Sequence, residues 1–496
     1  MNSYRLYICF LLFTSVIFAQ KIKTPLEKSD FKNITTHAQL LDFITSLPKT
    51  SVPFIKETIA VSVKGKEIPV LKFSTGEFGK DERKLKVLLF AQQHGDEPSG
   101  KEGAMMLIRD IVSGEFNSIL EKMDIAIVPM MNPDGNDVNK RRNGNGADLN
   151  RDHLLLLQPE NQGLQNFFNH YLFDVSMDVH EYSPYSQSWL DYGYLKNSDV
   201  TAGRLTNINT PEAIRNFSEK EYLPFLSNFI KNAGFSYAEY TPGGPPELEY
   251  IRHSTYDIND GRQEFGSLGT LSFIQEGKNG IDSIENIKTR SLSQKAGMTA
   301  YLKFMFDNVD KIKVMVRTER NKIIEGSPDK VAIQMIHVKD GRKLEMHLFS
   351  TKTSKDTVVI VNDYRPVVKS IFDVEKPEGY LISAEDKELV NWANRHKFTT
   401  IKYSPAKTDK IEEYTIQKID SIDFEGDIVI NPVTITGTLS PLELKKEYLL
   451  IPTRQLAGNV IVQALEPKSI IGLATYKHFE YLVKSGAKYP VLRLVK

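Results

Sequence analysis

Short apolar runs bounded by polar, glycine-bearing segments recur through the first 310 residues, and their lengths fit buried strands. Residues 84–91 (KLKVLLFA), 124–131 (DIAIVPMM), 174–180 (DVSMDVH) and 271–276 (LSFIQE) are of this kind. Between and after them the pattern becomes helical: 103–112, with Pro98 placed for a first turn, then 159–173 and the long stretch 284–309. Upstream, 37–47 reads as a short helix. Residues 58–63 and 68–73 read as two strands about the turn Lys64-Gly65-Lys66. Strands alternating with helices predict an α/β fold: a mixed, mostly parallel sheet with helices on both faces.

After about residue 310 the pattern changes to the alternation of half-exposed strands, at 311–316, 331–338, 343–348 and 357–361, followed by a helix at 383–396. The polar segment 321–330, with Gly326 and Pro328, predicts a boundary within 310–330. The expected organisation is a main unit over 21–315 and a smaller C-terminal α+β domain over 325–496. The latter shows no ligand cluster or nucleophile elbow and reads as structural or substrate-gating.

The first 20 residues stand apart. Arg5 precedes a 13-residue, mostly apolar run, LYICFLLFTSVIF, and Ala19 follows. That is the form of a signal peptide, and the run is short for a bilayer span. The only cysteine, Cys9, lies inside it, so the mature chain has no disulfide, and no second long apolar span exists. An exported, cysteine-free protein of this size fits a bacterial periplasmic or secreted protein, with no stable membrane insertion once the leader is gone. The 496 residues carry 63 basic and 63 acidic side chains, which excludes a general polyanion binder and predicts no nucleic-acid partner.

Four segments carry candidate chemistry. His94 and Glu97 lie three apart where a strand gives way to a helix, and both residue types ligate zinc, although such a pair also occurs as solvated loop side chains. Asn132-Pro133-Asp134-Gly135 is followed by Arg141-Arg142-Asn143 and Asp148-Leu149-Asn150-Arg151, a polar loop with three arginines in a chain of no net charge. A guanidinium matches a carboxylate bidentately, so this loop suits recognition of a free chain end; paired surface charges are the alternative. His180 and Glu276 each close a strand, and ligands of open α/β sheets bind at that carboxyl edge.

Taken in order over about residues 55–310, these segments resemble the zinc metallocarboxypeptidases of the carboxypeptidase A type. The resemblance implies that His94, Glu97 and His180 bind one zinc ion per chain. It implies that Glu276 is the general base, that Arg141 polarises the scissile carbonyl (with Arg142 adjacent as a competitor), and that Asn150 and Arg151 grip the terminal carboxylate. Asp148 corresponds to the acid that orients His94. Tyr256, twenty residues before Glu276, corresponds to a tyrosine over the site, with Tyr250 and Tyr240 as competitors. Arg262 would favour an acidic terminal residue if it faces the pocket; pairing with Asp260 or Glu264 is the alternative. The expected activity is removal of the C-terminal amino acid from peptides. A deacylase of N-acyl amino acids and a cell-wall peptide carboxypeptidase are the other readings.

Overall fold

The computed structural model describes residues 22–48 and 52–495, so the leader expected over 1–20 lies outside the described residues. An eight-stranded sheet organises the first two-thirds of the chain. Its strands are β1 (Phe54–Val61), β2 (Glu67–Phe73), β3 (Leu85–Ala91), β4 (Met123–Val128), β5 (Val175–Tyr182), β6 (Val200–Gly203), β7 (Tyr237–Glu239) and β8 (Leu271–Lys278). The order is β1-β2-β4-β3-β5-β8-β6-β7. The central strands β4, β3, β5 and β8 run parallel, while β2 and β6 lie antiparallel to their inner neighbours.

The central strands read as unbroken apolar runs because both faces of the sheet are covered. Along β3, Val87, Leu89 and Ala91 join one core with Met105, Leu107 and Met298. Leu88 and Phe90 point the other way, into a second core with Phe168 and Phe265. Helix α1 (Pro98–Val112) starts with its proline at the first helical position, where no intrahelical N–H is needed. Helix α2 (Ile287–Asp307) packs beside it, so close that a Cβ on Gly103 would lie 2.9 Å from the Ser291 carbonyl.

Residues 311–316, expected as a strand, belong to helix α3 (Val309–Ile324). The local alternation Ile312, Val314, Val316 reads as period two. The structure instead buries Ile312, Val316 and Ile323, close to helical spacing, and leaves Val314 55% exposed. The helix then carries the chain into the C-terminal strands β9 (Lys330–Val338), β10 (Leu344–Ser350), β11 (Lys410–Phe424) and β12 (Asp427–Leu439). These do not stand off from the main sheet. Strand β10 pairs with Tyr194–Lys196, and Tyr364–Arg365 pairs with Ile251–Arg252. The second core continues from Phe90 and Phe265 through Tyr256 to Val331, Trp392 and Ile461. Trp392 Nε1 donates to the Leu154 carbonyl at 2.9 Å. Among the described residues no helix is long and apolar enough to cross a membrane.

One buried carboxyl gives this core a pH signature. Glu264, 1% exposed, has no ion-pair partner among the described residues, and burial pushes its pKa from 4.5 up to about 8. The folded chain keeps this proton while the unfolded chain releases it. Stability therefore falls as pH rises from about 4.5 to 8, by on the order of 3 kcal/mol at pH 7. Glu264→Gln is expected to remove that slope, since an amide carries no proton to release. Thermal unfolding at pH 5 and pH 8 checks this: the variant gains on the wild type at pH 8. Equal pH slopes would show that Glu264 is ionised in the fold.

Candidate active site

The turn after β3 brings the first two site residues together. Gly95 packs directly on Gly135: a Cβ on Gly95 would fall 2.1 Å from the Gly135 carbonyl carbon, so no other residue fits. Asn132 ties the corner, its Nδ2 donating to Gln93 O (3.0 Å) and Arg141 O (3.2 Å) while its Oδ1 accepts from Gly135 N. The Asn-Pro-Asp-Gly segment thus fastens the His94 turn to the arginine loop.

At the carboxyl edge of the sheet three donors converge. His94 Nδ1 lies 2.7 Å from Glu97 Oε1, His180 Nδ1 lies 3.0 Å from Glu97 Oε2, and the two Nδ1 atoms are 3.2 Å apart. All three residues are buried. Each ring is held from behind by a carboxylate: His94 Nε2 is 3.0 Å from Asp148 Oδ1, and His180 Nε2 is 2.8 Å from Asp178 Oδ1. Those carboxylates keep the ring protons on Nε2 and turn both Nδ1 lone pairs toward one point. Two imidazole nitrogens and a carboxylate oxygen are the donor set of a catalytic zinc site, and the residues fit a zinc ion on that chemistry.

The charges agree. Burial alone would lower the His94 and His180 pKa values, yet the surrounding carboxylates hold both above the usual imidazole value. Burial would raise Glu97, and the two histidines instead hold it far below the carboxylate range. The carboxylates around the two imidazoles give this spot a negative potential, which suits a cation.

Glu276 lies on the neighbouring strand in direct register with His180, about 4.8 Å away by strand spacing. It is 7% exposed, and its carboxylate has no hydrogen-bond or ion-pair partner among the described residues. Burial pushes its pKa up to about 7. A carboxyl poised near neutrality beside a metal site is suited to accept and return a proton.

The zinc carboxypeptidase family model matches residues 48–241. Carboxypeptidase 2 of Trichophyton rubrum is 23% identical over 460 residues, covering 87% of this chain and 81% of its own. Carboxypeptidase E of Caenorhabditis elegans is 33% identical over 112 residues, 19% of this chain and 24% of its own. Among solved structures, the Pseudomonas aeruginosa metallo-carboxypeptidase is similar with a TM-score of 0.41 and 20% identity, covering 56% of this chain and 68% of that one. The chain carries a zinc carboxypeptidase domain over the matched residues. It is a metallocarboxypeptidase, a zinc-dependent exopeptidase acting on peptides, and the deacylase reading is not favoured.

The enzyme's remaining expected residues fall into two groups. Arg141 is at the site: its Nε donates to Asp148 Oδ2 at 2.9 Å, and Nη1 lies 3.2 Å from His94 Nδ1. Arg142 instead donates to the Gly146 carbonyl. Asn150 is buried, its Oδ1 accepting from Gly261 N at 3.1 Å. Arg151 is solvent-accessible, donates to the Asn150 carbonyl, and has no carboxylate within ion-pair distance among the described residues. It lines a cavity of about 230 Å³.

Two expectations are corrected. Tyr256 does not cover the site. It is 2% exposed, donates to Met335 O at 2.7 Å, and packs on His337 and Phe424, because the C-terminal region offers an acceptor and an aromatic wall. Tyr240, with Glu276, Arg262 and Arg151 in its electrostatic surroundings, is the tyrosine nearer the site. Arg262 is 1% exposed and paired with Asp260 at 2.8 Å, with Ser254 and Thr255 also accepting. Its charge is neutralised inside the fold, so it offers no free fork to an acidic terminal side chain.

Sequence reading missed Asp178 and the Glu181–Arg290 pair. Asp178 sits two residues before His180 on the same strand, hence on the same face, and that spacing was the available signal. The Glu181 backbone N–H donates to Glu97 Oε2 (2.9 Å), and Arg290 grips the Glu181 carboxylate from α2 at 2.8 Å. This contact between distant segments had no sequence signal.

Proposed function

We propose that the enzyme removes the C-terminal residue of peptides with His94, Glu97 and His180 holding a single zinc, Glu276 as base, Arg141 as the carbonyl's partner, and Asn150 with Arg151 as the carboxylate grip. The observation that carries this reading is the convergence of both imidazole Nδ1 atoms and Glu97 beside an unpartnered, buried Glu276. Zinc would supply Lewis-acid activation of water and of the scissile carbonyl. Glu276 takes a proton from the attacking water and returns it to the leaving amine. Arg141 meets negative charge that develops on the carbonyl oxygen only in the transition state, an interaction worth about 3–4 kcal/mol in comparable sites. Arg151 fixes the substrate by its end, which places the last peptide bond and no other at Glu276.

The test pairs a peptide with its C-terminally amidated form, with and without chelator. The expected result is release of the last residue from the free-acid peptide alone, lost on chelation and restored by zinc. Equal cleavage of the amidated peptide would remove Arg151 from its role, and chelator-insensitive cleavage would remove the metal site. We further propose that the mature chain begins near residue 21 and is exported. That rests on the apolar run at 6–18; the curated relatives, from fungi, a plant and a nematode, give no support for a bacterial source.

A further inference from the structure

The cavity beside Arg151 is shared. Arg151, Arg252 and Asp257 line it from the main sheet's loops, and Glu425, Asp427 and Tyr476 line it from the C-terminal region. The long hairpin β11–β12 reaches it through a two-residue turn, Glu425-Gly426, in which both residues have positive φ (54° and 99°). Turns of this type favour asparagine or aspartate before the glycine, and a glutamate there is strained.

The strain persists because Glu425 anchors the tip. Its Oε1 is 2.7 Å from His337 Nε2 and 3.7 Å from Arg252 Nε, and its carbonyl accepts from Arg252 Nη2 at 3.3 Å. The hairpin tip is therefore fixed on the loop that borders the site. Asp427, the first residue after the turn, is exposed at the cavity, and its carboxylate has no hydrogen-bond or ion-pair partner among the described residues.

The balance of charge in the cavity decides what fits. Arg252 is already paired with Glu249 (3.2 Å) and Glu425. Asp257 and Tyr476 face one another near Arg151, and Asp257, although raised by burial to about 6, is mostly ionised at neutral pH. Once a substrate carboxylate neutralises Arg151, one guanidinium faces the carboxylates of Asp257, Glu425 and Asp427. We propose that this cavity receives the C-terminal residue of the peptide and that Asp427, supplied by the C-terminal region, makes the enzyme prefer a residue with a positively charged side chain. This rests on the reading that Arg151 holds the terminal carboxylate. An acidic side chain adds charge to a negative cavity, and leucine leaves Asp427 unpaired. Lysine or arginine pairs with it, at an open rim where an ion pair yields roughly a twofold to fivefold preference.

The experiment uses the zinc-loaded full chain and three peptides identical except for a last residue of Lys, Leu or Glu. Wild type is expected to rank them Lys, Leu, Glu by kcat/KM. Asp427→Asn lowers the Lys-to-Leu ratio about twofold to fivefold, mainly through KM. Asp427→Lys reverses the order of Lys and Glu. Raising the ionic strength narrows the ratio in wild type more than in Asp427→Asn, since the pair is screened. Hydrolysis with the same ratios in all three proteins overturns the inference alone. Failure of wild type to cleave any of the three overturns the underlying functional reading, and this inference falls with it.

Discussion

Glu276→Gln is expected to lower kcat by at least about 10²-fold, the lower end of the contribution of a positioned acid–base group, while zinc content stays at the wild-type level. The substitution keeps shape and removes only proton transfer. Glu276 touches none of the three ligand side chains by hydrogen bond or ion pair, so the His94–Glu97–His180 set has no reason to rearrange. An uncharged side chain also relieves a carboxyl that burial pushes to about 7, so the variant is expected to fold at least as well as wild type at neutral pH. The catalytic form is the ionised one, and wild-type kcat/KM is expected to fall on the acid side as Glu276 takes up its proton. Zinc analysis, a binding assay with a peptide and the turnover number together make the check. Near-normal turnover would assign the base to another residue. Loss of zinc together with turnover would mean that Glu276 supports the metal site.

The parts of this site legible in the sequence are those set by local geometry. Period-two alternation puts Leu88 and Leu89 on opposite faces, and the direction of the buried strands puts His94, His180 and Glu276 at one edge. The spacing of His94 and Glu97 survives folding because a strand end and a helix start lie between them, with Gly95 where no Cβ fits and Pro98 at the first helical position. What failed to show depends on partners far along the chain. Tyr256 is turned by the Met335 carbonyl, 79 residues away. Val314 breaks the reading of 311–316 because Ile312 and Val316 find cores that only the whole fold supplies. Arg262 and Asp260 are two residues apart, and the sequence allowed their pairing on a surface loop. Its position at 1% exposure could not be foreseen. The expected boundary at 310–330 falls where helix α3 gives way to strand β9, yet the C-terminal strands pair with 194–196 and 251–252, and the second core runs across it. A packing role and a role at the proposed substrate cavity are therefore not alternatives for the C-terminal region, since the contacts that seat Glu425 also present Asp427.

His180→Ala is expected to abolish zinc binding at stoichiometric metal and with it all peptidase activity. Wild type is expected to carry about one zinc per chain, from three protein donors and an open position. Removing His180 leaves His94 Nδ1 and Glu97, one nitrogen and one carboxylate. It also leaves Asp178, which is fully buried, without the ring it faces at 2.8 Å. That uncompensated carboxylate lowers stability, so zinc loss alone could be blamed on a damaged fold. Asp178→Asn separates the two causes. It keeps all three donors and a group of the same shape, and removes only the charge that sets the His180 tautomer. Zinc affinity measured by chelator competition is then expected to weaken by about 10- to 100-fold, with thermal unfolding of the metal-free protein near that of wild type. If His180→Ala retains a full complement of zinc, the metal lies elsewhere and the assignment of the three ligands fails. If Asp178→Asn binds zinc as tightly as wild type, the orientation of His180 comes from its strand and from the Gln294 bond to its carbonyl, not from the carboxylate behind the ring.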